Sequence, residues 1–200
     1  MRPLAVSLIF SWAACAGDAT ITPAERAHAI QLLKDSEKEF LSLIDGLSDA
    51  QWTYKSSPDR WSVGETAEHI MLADARLFGG VQRALASPAN PEWESKTRGK
   101  SEFLEKALLD RSHKAQAPEP IQPHANISRD EIIARYKEDR EKVIQFIEET
   151  DAPLKEHTAD HPFPIFGTLN AYQWTIYIPL HNLRHNQQIA EIKASAGFPK

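Results

Sequence analysis

The chain has 200 residues, of which 42% are hydrophobic and 26% charged, a composition typical of one globular domain. Its formal net charge of -5 argues against the basic surface that a nucleic-acid-binding protein or a protein attracted to anionic membranes needs. A single cysteine excludes a fold held together by disulfide bonds.

The N-terminal segment has the pattern of a secretory signal. Residues 4–14 form an apolar run after a single arginine, and small residues surround Cys15. Because this run is shorter than the ~20 residues of a membrane-spanning helix, we expect residues 1–16 to be removed and the mature chain to be exported to the periplasm or beyond, without a transmembrane segment.

The cleavage site has two interpretations. Ala14-Cys15-Ala16 fits cleavage between small residues, whereas Ala13-Ala14-Cys15 resembles the end of a lipoprotein signal, which would leave a lipid anchor on Cys15. The alternative to export is that the apolar run is a docked or disordered N-terminal helix.

Capping boxes, in which Ser or Thr precedes Glu or Gln by three residues, predict where helices begin. Thr22–Glu25 opens a first long helix that should reach about Leu47, because apolar residues recur on one face every three or four positions. Ser48–Gln51 opens a short helical turn. Ser62–Glu65 opens a second long helix, which should end near Ala86 because prolines follow.

A long connection separates the second long helix from the third. Residues 87–127 are rich in proline and charge and contain one predicted helical piece, from Ser101 to about Ser112. Ser128 begins the capping box of the third long helix, which should end near Thr150. A crossover of this length allows two consecutive helices to run in the same direction.

A fourth long helix completes the predicted bundle. A capping motif at Asn170 opens this helix, which should reach about Ser195, with Gly197 as the expected C-terminal cap. No segment alternates apolar and polar residues as a half-buried strand does. The sequence therefore predicts an all-α four-helix bundle, with a single domain over residues 22–197.

Histidines on two of the predicted helices carry the clearest chemical signal. His181 and His185 are four residues apart, so both imidazoles lie on one face of the fourth helix. Glu65 and His69 have the same spacing on the second helix. If these faces meet, three imidazoles can bind a divalent ion such as Zn, Ni or Fe and leave one position open. The alternative is that the histidines do not converge and bind no metal.

Two neighbouring side chains could assist such a site. Glu65 is placed either to transfer protons or only to cap the second helix. Gln188, three residues after His185, is placed to border the site as a hydrogen-bond partner or a substrate contact.

A second histidine pair and a tyrosine have structural interpretations. His157 and His161 also lie four residues apart, but prolines follow them and no helix aligns them, so we expect loop or pocket-wall residues rather than ligands. Tyr177 precedes His181 by one helical turn, either as a core residue or as a platform for substrate.

These motifs resemble those of the DinB/YfiT-like superfamily. Residues 61–70 are similar to the family signature W-S-x-x-E-x-x-x-H-I, and residues 161–185 look like its last helix. The resemblance spans nearly the whole mature chain and implies an up-down-down-up bundle with a metal ion held by His69, His181 and His185. Family members are linked to thiol-dependent transfer and isomerisation, or are labelled metal-dependent hydrolases. The predicted secretory signal does not fit the thiol-dependent reactions, since the low-molecular-weight thiols that the family uses are cytosolic.

Two functions remain open from the sequence. One is an exported metal-dependent enzyme, a hydrolase or transferase acting on a small-molecule substrate. The other is a non-catalytic bundle that binds a metal or a small molecule. Glu65 discriminates between them, because turnover requires a group that moves protons near the open position. No nucleic-acid partner is expected, and a homodimer is left open.

Overall fold

The computed structural model describes residues 18–113, 116–124 and 126–200. The predicted signal, residues 1–16 with Cys15, lies outside the described residues. Over the described part of the chain, no helix is both long and apolar enough to cross a bilayer.

The long helices that the sequence predicts are all present, and the four-helix bundle is confirmed. The elements in chain order are α1 (Pro23–Ile44), α2 (Asp49–Thr53), α3 (Val63–Ala86), α4 (Trp93–Thr97), α5 (Lys100–Leu109), a 3-10 turn (Glu119–Ile121), α6 (Arg129–Glu149), β1 (Thr158–Asp160), β2 (Thr168–Asn170) and α7 (Ala171–Lys193). The bundle consists of α1, α3, α6 and α7.

The predicted capping motifs set the starts of these helices. At α3, the Ser62 hydroxyl accepts a hydrogen bond from Glu65 N at 3.1 Å, and Glu65 Oε2 accepts one from Ser62 N at 2.8 Å. The same reciprocal pair forms at the starts of α1, α2 and α7. At α6 the Ser128 hydroxyl accepts from Glu131 N. Each motif satisfies backbone donors that have no partner within the helix.

Two helix ends differ from expectation. α1 ends at Ile44, three residues earlier than predicted, because Gly46 takes a left-handed conformation with a φ of 64° that turns the chain away. The cap at the end of α7 is Ala194, so the prediction of Gly197 as its cap was wrong. A Cβ on Gly197 would lie 2.8 Å from the Tyr54 hydroxyl, which explains a glycine there by close packing.

The crossover and the α6–α7 connection carry more structure than the sequence predicts. The crossover contains α4 as well as α5. β1 and β2 form an antiparallel pair in which Ala159 lies opposite Leu169. Each strand has three residues, too few for an alternating pattern to be visible. β2 ends at Asn170, the N-cap of α7, so this hairpin leads directly into the helix that carries His181 and His185.

α7 is the central helix of the bundle and packs against α1, α3 and α5. All ten residues from Ala171 to Leu180 are buried, which is expected of a helix surrounded by other elements. Pro179 lies within this helix, two residues before His181, and removes one backbone donor there.

A buried ion pair between α6 and α3 is connected to α7 by hydrogen bonds. Arg140 of α6 donates a hydrogen bond to Asp74 of α3 at 2.7 Å, and both side chains are fully buried. Arg140 also donates to Asn182 Oδ1 of α7 at 2.9 Å, and the Tyr136 hydroxyl donates to the same oxygen at 2.7 Å. Burial raises the pKa of Asp74 to about 6, although the positive charge of Arg140 acts to lower it. The network therefore holds α7 at the residue that follows His181.

Candidate metal centre

Three histidines from α3 and α7 meet at one point. One nitrogen from each of His69, His181 and His185 lies within 4.8 Å of the other two. Nε2 of His69 is 3.2 Å from Nε2 of His185. Imidazole nitrogens at ~2.1 Å from a tetrahedral ion are roughly 3.4 Å apart, so small adjustments suffice for this group to hold one ion. The structure thus brings together the three histidines that the sequence singles out.

Hydrogen bonds orient two of the three imidazoles. Nδ1 of His69 lies 2.7 Å from the carbonyl oxygen of Ile121, and Nδ1 of His185 lies 3.0 Å from Gln188 Oε1. Because these oxygens only accept hydrogen bonds, each Nδ1 carries the proton and each Nε2 presents a lone pair. The two lone pairs therefore face one another across 3.2 Å, an arrangement that is repulsive until a cation lies between them.

Burial keeps the histidines neutral, the form that binds metal. Desolvation lowers the pKa of His69, and it lowers the pKa of His181 and of His185 well below the usual value, with the adjacent imidazoles as a further cause for these two. Nδ1 of His181 is buried and has no hydrogen-bond partner among the described residues. A buried polar atom without a partner needs an explanation, and a bound cation would supply one. The donor set therefore fits a divalent metal.

Aromatic rings pack against the histidines and limit their movement. The centroid of Trp61 lies 4.8 Å from that of His69, and the centroid of Tyr177 lies 6.2 Å from that of His181. Tyr177 is 4% exposed and lines the cavity described below, so it is both a packed residue and a part of the site wall.

The histidines open into a cavity of about 590 Å³, a volume typical of small-molecule sites. Of the residues that the structure describes, six large apolar side chains line it: Trp61, Leu108, Ile121, Phe163, Ile165 and Phe166. They come from four different parts of the chain, so the cavity exists only in the folded protein.

The charged side chains of the cavity wall are largely paired with one another or with the backbone. Arg111 donates hydrogen bonds to both carboxylate oxygens of Glu191, each at 2.8 Å. Arg184 donates to the carbonyl oxygens of Leu108, Asp110 and His113. These contacts fasten the end of α5 and the segment after it to α7, and they form one wall of the cavity.

Glu65, the sequence candidate for proton transfer, is not among the residues that line the cavity. Its Oε2 accepts the capping hydrogen bond from Ser62, and its Oε1 lies 2.7 Å from Lys55 Nζ. Both carboxylate oxygens are thus engaged, as the capping interpretation expects. A catalytic role for Glu65 stays a prediction, and these contacts give it no connection to the cavity.

The second histidine pair does not join the three. Nδ1 of His157 lies 2.7 Å from the carbonyl oxygen of Ser87, and Nδ1 of His161 accepts a hydrogen bond from Phe163 N at 3.0 Å. The His161 ring stacks on Tyr177 at a centroid distance of 5.0 Å. Burial lowers the pKa of His161 to about 4. His161 therefore supports the site wall as a neutral imidazole.

Sequence reasoning missed how the crossover contributes to the site. The Ile121 carbonyl oxygen orients His69, and Glu68 Oε1 accepts a hydrogen bond from His124 N at 3.0 Å, which holds the same segment against α3. A backbone carbonyl carries no residue-type signature, so no pattern in the sequence could have assigned it.

Comparisons with known proteins agree with this architecture. A family model described as the DinB superfamily matches residues 32–189. A Bacillus subtilis (strain 168) protein, "Uncharacterized protein YuaE", is 29% identical over 167 residues, which cover 82% of this chain and 96% of that protein. The solved structure of YfiT from Bacillus subtilis, described as "a probable metal-dependent hydrolase with an unusual four-helix bundle topology", has a TM-score of 0.59 at 16% identity, over 90% of this chain and 91% of YfiT. At that identity the likeness shows a shared fold.

Proposed function

This chain belongs to the DinB superfamily, and on that basis we propose that it is a metal-dependent enzyme, a hydrolase or transferase, whose metal ligands are His69, His181 and His185. The observation that carries the proposal is the convergence of three neutral imidazoles in the wall of a cavity. The description of YfiT as a probable metal-dependent hydrolase supports the hydrolase type. Three imidazoles suit Zn, Ni or Fe, and the donor set alone favours none of them.

A divalent ion at this site would polarise a substrate oxygen or lower the pKa of a bound water toward 7. The chain itself supplies orientation. The Ile121 carbonyl and Gln188 hold two of the imidazoles by their Nδ1 protons, which directs each Nε2 to the centre of the site. Such partners of metal-binding histidines raise the basicity of the ligand nitrogen and prevent the ring from turning.

Tyr177 is the side chain best placed to contact a substrate oxygen. It lines the cavity one turn before His181, and its ring centroid lies 6.2 Å from that of His181. Burial raises the pKa of Tyr177 above its usual value, so the phenol keeps its proton and can donate a hydrogen bond. A donor aimed at developing negative charge stabilises a transition state.

A second candidate function, binding without turnover, is favoured by one observation. Glu65 is engaged outside the cavity, and the three carboxylates that line the cavity within the described part of the chain already accept hydrogen bonds: Asp59, Asp110 and Glu191. Among its described residues, the cavity thus offers a set of metal ligands but no carboxylate whose hydrogen bonds leave it clearly available for proton transfer.

Elemental analysis of protein purified without an affinity tag tests the metal site. We expect about one divalent ion per chain in the wild type and loss of that ion in His185→Ala. His28→Ala is the matched control, since His28 is an exposed histidine paired with Glu105 at 3.0 Å and lies outside the cavity lining. Wild-type protein that binds no divalent ion after incubation with Zn, Ni or Fe would refute the proposal.

Turnover is tested on the same preparations. Metal-loaded and chelated protein would be assayed with ester, amide and thiol-conjugate substrates. Activity that depends on the metal supports the enzyme, whereas stoichiometric metal without activity across the panel supports the binding protein.

A further inference from the structure

We propose that the substrate of this site is uncharged where it binds in the cavity and carries an apolar hydrocarbon group, which lies between the three histidines and Ile165. This inference rests on the proposed function in taking the three histidines as the reacting part of the cavity. It adds the class of substrate, which the metal ligands alone do not determine.

The first support is the chemistry of the wall. Phe163, Ile165 and Phe166 lie on the loop between β1 and β2 and line the cavity together. Ile165 is 68% exposed, and of the described residues the one other exposed large apolar side chain is Leu109, at only 37%. The apolar lining therefore continues to the mouth of the cavity, where a hydrocarbon group would cover it and remove apolar surface from water.

The second support is that this loop is held in a defined conformation. Phe166 N donates to Phe163 O at 3.1 Å, and Gly167 N donates to Pro164 O at 3.1 Å, so two successive turns close it. Gly167 has a φ of 60°, a conformation that glycine adopts without strain. Lys100 Nζ donates to Phe166 O at 2.7 Å and fastens the loop to α5. The loop that carries the apolar rim thus has a defined conformation before a ligand binds, so binding requires little further ordering of the loop.

The third support is the pairing of charge. Both Glu191 oxygens accept from Arg111, and Arg184 donates to three backbone carbonyl oxygens. Hydrogen bonds from Arg111 lower the pKa of Glu191, and the charge of Arg60, an exposed residue of the cavity lining, adds to this effect. An anionic substrate in the interior would lose its hydration, and it would find the guanidinium groups of Arg111 and Arg184 already occupied by hydrogen bonds within the protein. An uncharged group avoids that cost.

Binding of alkyl hydroxamates to metal-loaded protein tests the proposal without relying on turnover. Hydroxamates chelate divalent metals, so a series from acetohydroxamate to decanohydroxamate holds the metal contact constant while the hydrocarbon lengthens. Each methylene buried contributes ~0.8 kcal/mol, about fourfold in affinity, and we expect this gain over the middle of the series by isothermal titration calorimetry. Affinity that is independent of chain length in protein that binds acetohydroxamate would overturn the inference.

A pair of matched variants locates the hydrocarbon. Ile165→Asn should weaken binding of the longer hydroxamates about threefold to tenfold and leave acetohydroxamate unchanged, because the exposed Ile165 contacts only the far end of the chain. Leu109→Asn removes the other exposed apolar side chain, which does not line the cavity, and should change neither. Equal effects of the two variants would refute the placement. A change of oligomeric state in Ile165→Asn by sedimentation velocity would also refute it, since a second copy would then cover the rim.

Metal-free protein separates failure of this inference from failure of the proposed function. A series of uncharged primary alcohols, from propanol to decanol, needs no metal contact. Binding that strengthens with length here, without any metal binding, would retain the apolar subsite and reject the metal enzyme. Metal binding without a length-dependent gain in either series would reject the subsite alone.

Discussion

Acidification should destabilise the fold through His161, and the size of the effect follows from the surroundings of this residue. His161 is 8% exposed, its ring stacks on Trp174 and Tyr177 at centroid distances of 5.0 Å, and its Nδ1 accepts a hydrogen bond from Phe163 N. Burial lowers the pKa of His161 from 6.5 to about 4. In the unfolded chain the imidazole returns to its ordinary pKa, so below 6.5 the unfolded state binds a proton that the folded state does not.

The sign and size of the effect follow from linkage. Above pH 6.5 the residue is neutral in both states and contributes no pH dependence. Between 6.5 and about 4, each pH unit removes ~1.4 kcal/mol of stability, because protonation favours the unfolded state. From pH 7 to pH 4.5 the expected loss from this residue alone is about 2 kcal/mol.

Urea unfolding of chelator-treated protein at pH 7 and pH 4.5 measures this loss. His161→Asn keeps an acceptor near Phe163 N but removes the titrating ring, so the stability lost between the two pH values should be about 2 kcal/mol smaller than in the wild type. His28→Asn is the control: it removes an exposed histidine, and its effect on the stability lost between the two pH values should be smaller than that of His161→Asn. If His161→Asn and the wild type lose the same stability, the assignment of a buried neutral imidazole is refuted.

Four further predictions concern the core, the site, the helix cap and the N-terminus. Arg140→Leu should cost about 3–5 kcal/mol by urea unfolding, because it leaves the fully buried carboxylate of its partner uncompensated; a loss below 1 kcal/mol would contradict this. Gln188→Leu should weaken metal binding about 10–100-fold in competition with a chelator, whereas the same change at the exposed neighbour Gln187 should not. Glu65→Gln should retain metal and lower stability by about 1 kcal/mol or less if the residue only caps α3; a fall in turnover at full metal content would assign it proton transfer. N-terminal sequencing of protein from the native host should show that residues 1–14 are absent, with a lipid on the next residue if the lipoprotein route operates; a cytosolic chain beginning at Met1 would overturn export.

Local sequence determined where the long helices begin and which histidines share a face. A capping box joins residues three positions apart, so Thr22, Ser62 and Asn170 specify their helix starts whatever surrounds them. In the same way, a spacing of four residues places His181 and His185 side by side on any α-helix.

Tertiary structure decided how the site is assembled, because the assembly of the site depends on contacts between residues far apart in the chain. His69 meets His185 across 116 positions, and the Ile121 carbonyl reaches His69 across 52, distances over which no periodicity acts. For Glu65, the same carboxylate suits a cap or a proton-transfer group, and the position of α3 relative to the cavity leaves it with Ser62 and Lys55. Helix starts are local hydrogen-bonding choices, whereas a cavity wall exists only after the loop closures that bring distant segments together.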